Sequence, residues 1–131
     1  AVEGLYVLDE RDRAASYYDL ILECIERTQT ICASFHDWRL LQRRAGIAAM
    51  AGRSWDDAEV HFRTALRQAE ELPHLPEQAH TRRFFAQMLL ERGGPRDRAE
   101  ATTMAAEAAD LYRRMGMPRH VELAAGLLNA S

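Results

Sequence analysis

Residues 45–66 read AGIAAMAGRSWDDAEVHFRTAL, and the reading of this stretch decides the fold. Ala45, Gly46 and Ala49 line one face of a helix, and Gly46 lets the backbone of a partner helix come close. Ser54 stands three residues before Asp57, a hydroxyl and a carboxylate in the spacing of a capping box, so a new helix starts there. Beyond it, Ala58, Phe62, Ala65 and Ala69 follow at steps of four and three, which again puts them on one face. Two helices joined by a short turn, each with a small-residue face, have to bury those faces.

The same face recurs outward from this hairpin. Ala14, Tyr18 and Ile21 precede Ala58, Phe62 and Ala65 by 44 residues, and Ala101, Ala105 and Ala108 follow them by 43. Leu22, Leu66 and Ala109 keep this register, as do Ile25, Ala69 and Tyr112. Self-similarity at a fixed spacing is the mark of a helical solenoid. Between sparse Gly and Pro the chain is rich in Ala, Leu, Arg, Glu and Gln, the best helix formers. The pattern predicts a partial helix over Val2–Leu8 and long helices over Arg11–Thr30, Asp37–Ala51, Trp55–Leu72, Pro76–Arg92, Pro95–Met115 and Pro118–Asn129. Ser34 with Asp37 repeats the capping spacing. Pro76, Pro95 and Pro118 suit first helical turns, and Gly93, Gly94 and Gly116 suit helix ends. No stretch alternates with the two-residue period of a half-buried strand. Ala125, Gly126 and Leu127 echo Ala45, Gly46 and Ile47, so the last helix reads as the first half of a further hairpin.

The bulk numbers agree with a soluble domain. The chain has 131 residues, enough for one compact domain or a short rod, with 47% hydrophobic and 28% charged residues. Its longest apolar runs, such as Ala45–Ala51, are far too short to cross a bilayer. A formal charge of -3 gives no general attraction for phosphate backbones, so no direct nucleic-acid partner is expected. All basic side chains are arginine, and there is no lysine. Cys24 and Cys32 stand eight residues apart without a CxxC motif, which points to reduced, cytosolic thiols and not to zinc or a disulfide framework. The first ten residues lack a basic leader, and the missing initiator Met suggests a piece of a longer chain.

Gly46, Ala58, Phe62 and Ala65, with Trp55 just inside the second helix, resemble the tetratricopeptide repeat, which carries a Gly in its first helix and Ala, an aromatic and Ala in its second. The Ala14–Ile25 and Ala101–Tyr112 helices match less closely. Ala105 replaces the aromatic, Leu89 or Ala86 stands where the glycine would be, and the period exceeds the usual 34 residues by about ten. The segments MLLERGGPRDRAEA and LYRRMGMPRH are similar to the C-terminal repeat regions of large bacterial ATP-binding regulators and nucleotide cyclases. The resemblance implies an all-α fold, a right-handed α-α superhelix of antiparallel hairpins with about six to seven helices, in a single domain over residues 1–131.

No constellation of catalytic residues stands out. His36, His61, His74, His80 and His120 include no pair spaced to put two ligands on one helical turn, so they read as surface or satisfied histidines and no metal or cofactor is expected. Gly93-Gly94-Pro95 lacks the Gly-Lys-Ser/Thr ending of a phosphate loop and reads as a turn. Met88, Met104, Met115 and Met117, with Trp38, Trp55, Phe84 and Phe85, read as core, although methionines also suit an adaptable groove. Of Phe84 and Phe85 at least one should be buried, because adjacent helical positions point about 100° apart.

The candidate partner-binding residues are Arg39, Arg43, Arg44, Arg82 and Arg83, with Gln87 nearby. They lie on first helices of hairpins, which line the concave face in tetratricopeptide-like stacks, where arginine forks could grip a carboxylate or phosphate. The competing reading is a helix face whose arginines pair with Glu and Asp of the next hairpin. The sequence thus points to a non-catalytic scaffold or interaction module of a larger cytoplasmic regulator. Its partner would be a protein or peptide, a neighbouring domain of its own chain, or a second copy in a homodimer, with no membrane. The alternative is a sensory domain taking a small anionic effector in its groove.

Overall fold

The computed structural model describes residues 1–28 and 38–129, with side chains for residues 1–27 and 41–129. All regular structure among them is helical: α1 (Val2–Val7), α2 (Arg11–Ser16), α3 (Tyr18–Thr28), α4 (Trp38–Ala51), α5 (Trp55–Glu71), α6 (Leu75–Arg92), α7 (Asp97–Arg114) and α8 (Pro118–Asn129). The fold is all-α, as the periodicity predicts. The Ser34 and Asp37 cap, Cys32 and His36 lie outside the described residues, as do the side chains of Trp38 and Arg39.

Helix ends follow local chemistry. His74 caps α6 by accepting the Glu77 N–H at Nδ1, 3.2 Å away, and Pro76 occupies the first turn, where a missing N–H costs nothing. Gly93 ends the helix in the left-handed region at φ 70°, which a residue without a Cβ reaches freely. The predicted helix ends that fall on described residues agree to within one residue, with two exceptions. First, α7 begins at Asp97 and not at Pro95. The Asp97 carboxylate reaches back to the Gly94 N–H at 2.8 Å and takes the Arg92 fork at 2.7 and 2.8 Å, closing the turn that leads into the helix. A Cβ on Gly94 would stand 2.8 Å from that carboxylate, so a side chain there would push it aside.

Second, the helix expected over Arg11–Thr30 breaks at Tyr17 into α2 and α3. The Tyr17 N–H bonds the Ala14 carbonyl, three residues back, and the Ser16 hydroxyl donates to the Arg13 carbonyl at 2.8 Å. A serine competing for backbone carbonyls is a recognised source of such breaks.

The chain forms two compact units, Ala1–Ala65 and Leu66–Ser131, with the boundary inside α5. In the first, α1, α2 and α3 pack on α4, and Gly46 of α4 faces the ring of Phe62 on α5. A Cβ at Gly46 would come within 2.9 Å of that fully buried ring, so the glycine is a steric requirement of the crossing. Ala14, Ile21, Ala58, Phe62 and Ala65, all from the recurring face, are buried in this unit.

In the second unit α6 packs against α7, and α7 against α8. The core gathers Ala79, Ala108, Ala109, Tyr112 and Ala124, with Leu111, Met115, Met117 and Val121 partly buried around it. Phe84 and Phe85 are both fully buried, where the helical wheel required only one. The reason is that α6 is covered on more than one side: α7 and α8 pack on it, and Gln78 donates to the Ala69 carbonyl of α5 at 3.1 Å. A helix enclosed in this way has no solvent face to spare for the second ring.

Candidate interaction surfaces

The arginines singled out in the sequence are largely engaged within their own units. Arg43 is buried, 5% exposed, and its guanidinium meets Glu3 of α1 at 2.6 Å. Arg82 bridges three helices: Nε to Glu107 at 2.8 Å, one terminal nitrogen to Glu70 at 2.8 Å, and the other to the Gln78 carbonyl at 3.3 Å. Arg83 is buried, with its guanidinium 4.3 Å from the Phe84 ring centroid and its Nε donating to the Tyr112 hydroxyl at 3.4 Å. Gln87 donates to Glu91 one turn on at 3.3 Å, and Arg44 is half-buried. The side chain of Arg39 lies outside the described residues. Arginine stems are long and apolar, so on an enclosed helix they run through the interior until the fork finds a carboxylate or a ring. The structure therefore gives Arg43, Arg82 and Arg83 internal partners. Replacing Arg43 and Arg83 would test the packing of the helices before it tested a binding face.

Two histidines tie helices together. His61 of α5 places Nδ1 2.8 Å from Gln42 Oε1 and Nε2 3.0 Å from the Tyr18 hydroxyl. With the amide oxygen accepting, the proton sits on Nδ1, and Nε2 accepts from tyrosine. Burial lowers the pKa of His61 below its ordinary 6.5, against an opposing pull from Asp57. The Tyr18 hydroxyl is shifted upward, first by desolvation and then by Asp57 and Asp19. In the second unit the fully buried Tyr112 meets His80 Nδ1 at 2.8 Å, and His120 of α8 lies against both rings at centroid distances of 5.1 and 5.3 Å. Arg83 donates to the same hydroxyl, so Tyr112 is held from both α6 side chains. Among the described residues no three His, Cys, Asp or Glu side chains gather in a way that could hold a metal ion. Cys24 is half-buried on α3.

A surface feature appears where α7 turns into α8. An open depression of about 420 Å³ is lined by Arg113, Gly116, Met117, Pro118, Val121 and Glu122. Gly116, at φ 67°, makes the turn and leaves the space beside it open, since a Cβ there would meet nothing within 4 Å. Met117 and Val121 form its apolar wall, and Leu123 further along α8 is 47% exposed. Met88 is fully buried, and Met115 and Met117 pack partly buried against the core, as the core reading expects; Met117 also lines the depression. The signal in the sequence was the Met-Gly-Met-Pro run: a forced turn with a flexible apolar side chain on each side of the glycine. The exposed arginines 114 and 119 flank this run, and the first turn of α8 carries no acidic residue.

No family model matches the chain, and neither a curated protein nor a solved structure matches it. Among the described residues, no helix is long and apolar enough to cross a membrane.

Proposed function

We propose that this chain is a non-catalytic, tetratricopeptide-like interaction module of a larger cytoplasmic bacterial regulator, and that it binds protein segments at the α7–α8 turn. One observation carries the reading: α7, which buries Ala101, Ala105, Ala108 and Ala109 of its recurring face, turns into α8 beside an apolar depression of about 420 Å³ open to solvent. Unfilled apolar surface is costly in water, and on a folded domain it marks a place where something docks. The wall of Met117 and Val121 takes an apolar side chain, and Arg113, Arg114 and Arg119 favour acidic neighbours around it.

Peptide display on the immobilised protein tests this. Selected peptides should carry apolar residues flanked by Asp or Glu, and Val121→Glu or Met117→Ser should weaken them by about tenfold or more while helicity is retained. Peptides that bind both variants undiminished would place the interaction elsewhere. The volume also lies within the range of small-ligand pockets, about 300–1,000 Å³. Thermal stabilisation by a small metabolite, lost in the same variants and without peptide binding, would favour the sensory reading instead.

A further inference from the structure

The turn between α1 and α2 carries the two most exposed large hydrophobic side chains among the described residues, Val7 at 68% and Leu8 at 73%. They are adjacent and held on a fixed frame. The Leu8 N–H donates to the Gly4 carbonyl at 3.0 Å, that of Asp9 to Tyr6 at 3.0 Å, and that of Glu10 to Leu5 at 2.9 Å. Asp9 sits in the left-handed region at φ 60°, and Tyr6 beneath the turn is buried with the Arg11 guanidinium 5.1 Å from its ring centroid. An apolar pair on a hydrogen-bonded turn is pre-organised, so docking it costs little ordering entropy.

Its surroundings carry the sign opposite to that of the depression at the α7–α8 turn. Residues 9–13 contain three acidic side chains and two arginines, while residues 113–122 contain three arginines and one glutamate. The pairs Asp9–Arg11 and Glu10–Arg13 are exposed and exchangeable, as is the pair between Asp110 and Arg113.

From this complementarity we infer that the chain associates with itself head to tail: Val7 and Leu8 of one copy enter the depression formed by Met117, Pro118 and Val121 of a second, with Asp9 and Glu10 facing Arg114 and Arg119. The inference rests on the reading of the depression as a docking site. Each copy owns one knob and one depression, two different patches. The contact is therefore heterologous and either closes a ring or continues from copy to copy. It buries one corner of each molecule, so it is weak and depends on concentration.

Sedimentation across a wide concentration range tests it, using two variants at exposed positions, Leu8→Glu and Arg119→Glu, whose folding is checked by circular dichroism. The unaltered protein should gain apparent mass as concentration rises, and each variant alone should lose association by about tenfold or more. Mixing the two variants should restore association but stop at two copies, because one supplies an intact depression and the other an intact knob. A mixture that stays monomeric while the unaltered protein associates would mean that the knob does not enter the depression, and an Arg119→Glu variant that associates alone would mean knob-to-knob pairing; either would overturn the inference. So would an unaltered protein that stays monomeric at every concentration. If display-selected peptides still bind at Val121 in either case, only the self-pairing falls; if they do not, the depression is no docking site.

Discussion

The two units bury their large aromatic side chain at different heights on the same helical face. In the first, the face of α5 runs Ala58, Phe62, Ala65, and Phe62 fills the crossing opposite Gly46. In the second, 43 residues on, the face of α7 runs Ala101, Ala105, Ala108, Tyr112, so the ring has moved two helical turns along. The preceding helix compensates. Leu89 stands 16 residues before Ala105 as Gly46 stands 16 before Phe62, and both Leu89 and Ala105 are buried. Large against small has become small against large. The relocated ring is a tyrosine, and a buried hydroxyl needs partners, which His80 and Arg83 provide. Each unit buries a large ring on this face, but at a different position along it.

The sharpest way to break this comparison is Phe62→Ala, which should cost about 3–5 kcal/mol in chemical denaturation, since the ring is fully buried. Adding Gly46→Leu, which copies the size exchange of the second unit, should recover part of the loss. A single-variant cost below about 1 kcal/mol would mean that the crossing is not where the first unit holds together. Next comes Tyr112→Phe, which strips a buried hydroxyl from His80 and Arg83 and should cost about 1–3 kcal/mol. Tyr18→Phe in the first unit, at a half-exposed position, should cost less. Equal losses would show that the buried setting of Tyr112 makes no difference.

The two glycines that echo one another in the sequence should respond with opposite signs. Gly46→Ala drives a Cβ into the Phe62 ring and should destabilise by about 1–3 kcal/mol, reduced by the roughly 1 kcal/mol by which alanine favours a helix. Gly126→Ala, whose Cβ would meet nothing within 4 Å, keeps only the helical gain and should raise the melting temperature.

The smallest effect is a difference in pH response. The folded first unit holds His61 with a pKa below 6.5, so the unfolded chain binds more protons, and stability is lost as pH falls below 6.5 towards the folded value. In the second unit Asp97 is lowered from 3.8, chiefly by Arg92, opposed by burial and assisted by the Gly94 N–H. Its contribution is present above 3.8 and is lost only as pH falls from there through the folded pKa. Hydrogen exchange at pH 5 should therefore show α5 amides near His61 weakened before those at the start of α7. The reverse order would contradict the assignment.

The sequence alone determined the helices, their approximate ends and the face that each one hides. These features depend on hydrogen bonds within a few residues and on a period that any helix imposes on its side chains. Gly93, Pro118 and the alanines at steps of three and four could be read without coordinates for that reason. Tertiary structure decided what depends on neighbours distant in the chain. It enclosed α6 so that Phe84, Phe85 and Arg83 are all buried, and it gave Arg43 and Arg82 internal carboxylates. It also left Met117 beside open space, because whether a side chain is covered depends on the volume of residues far along the chain and not on its own spacing.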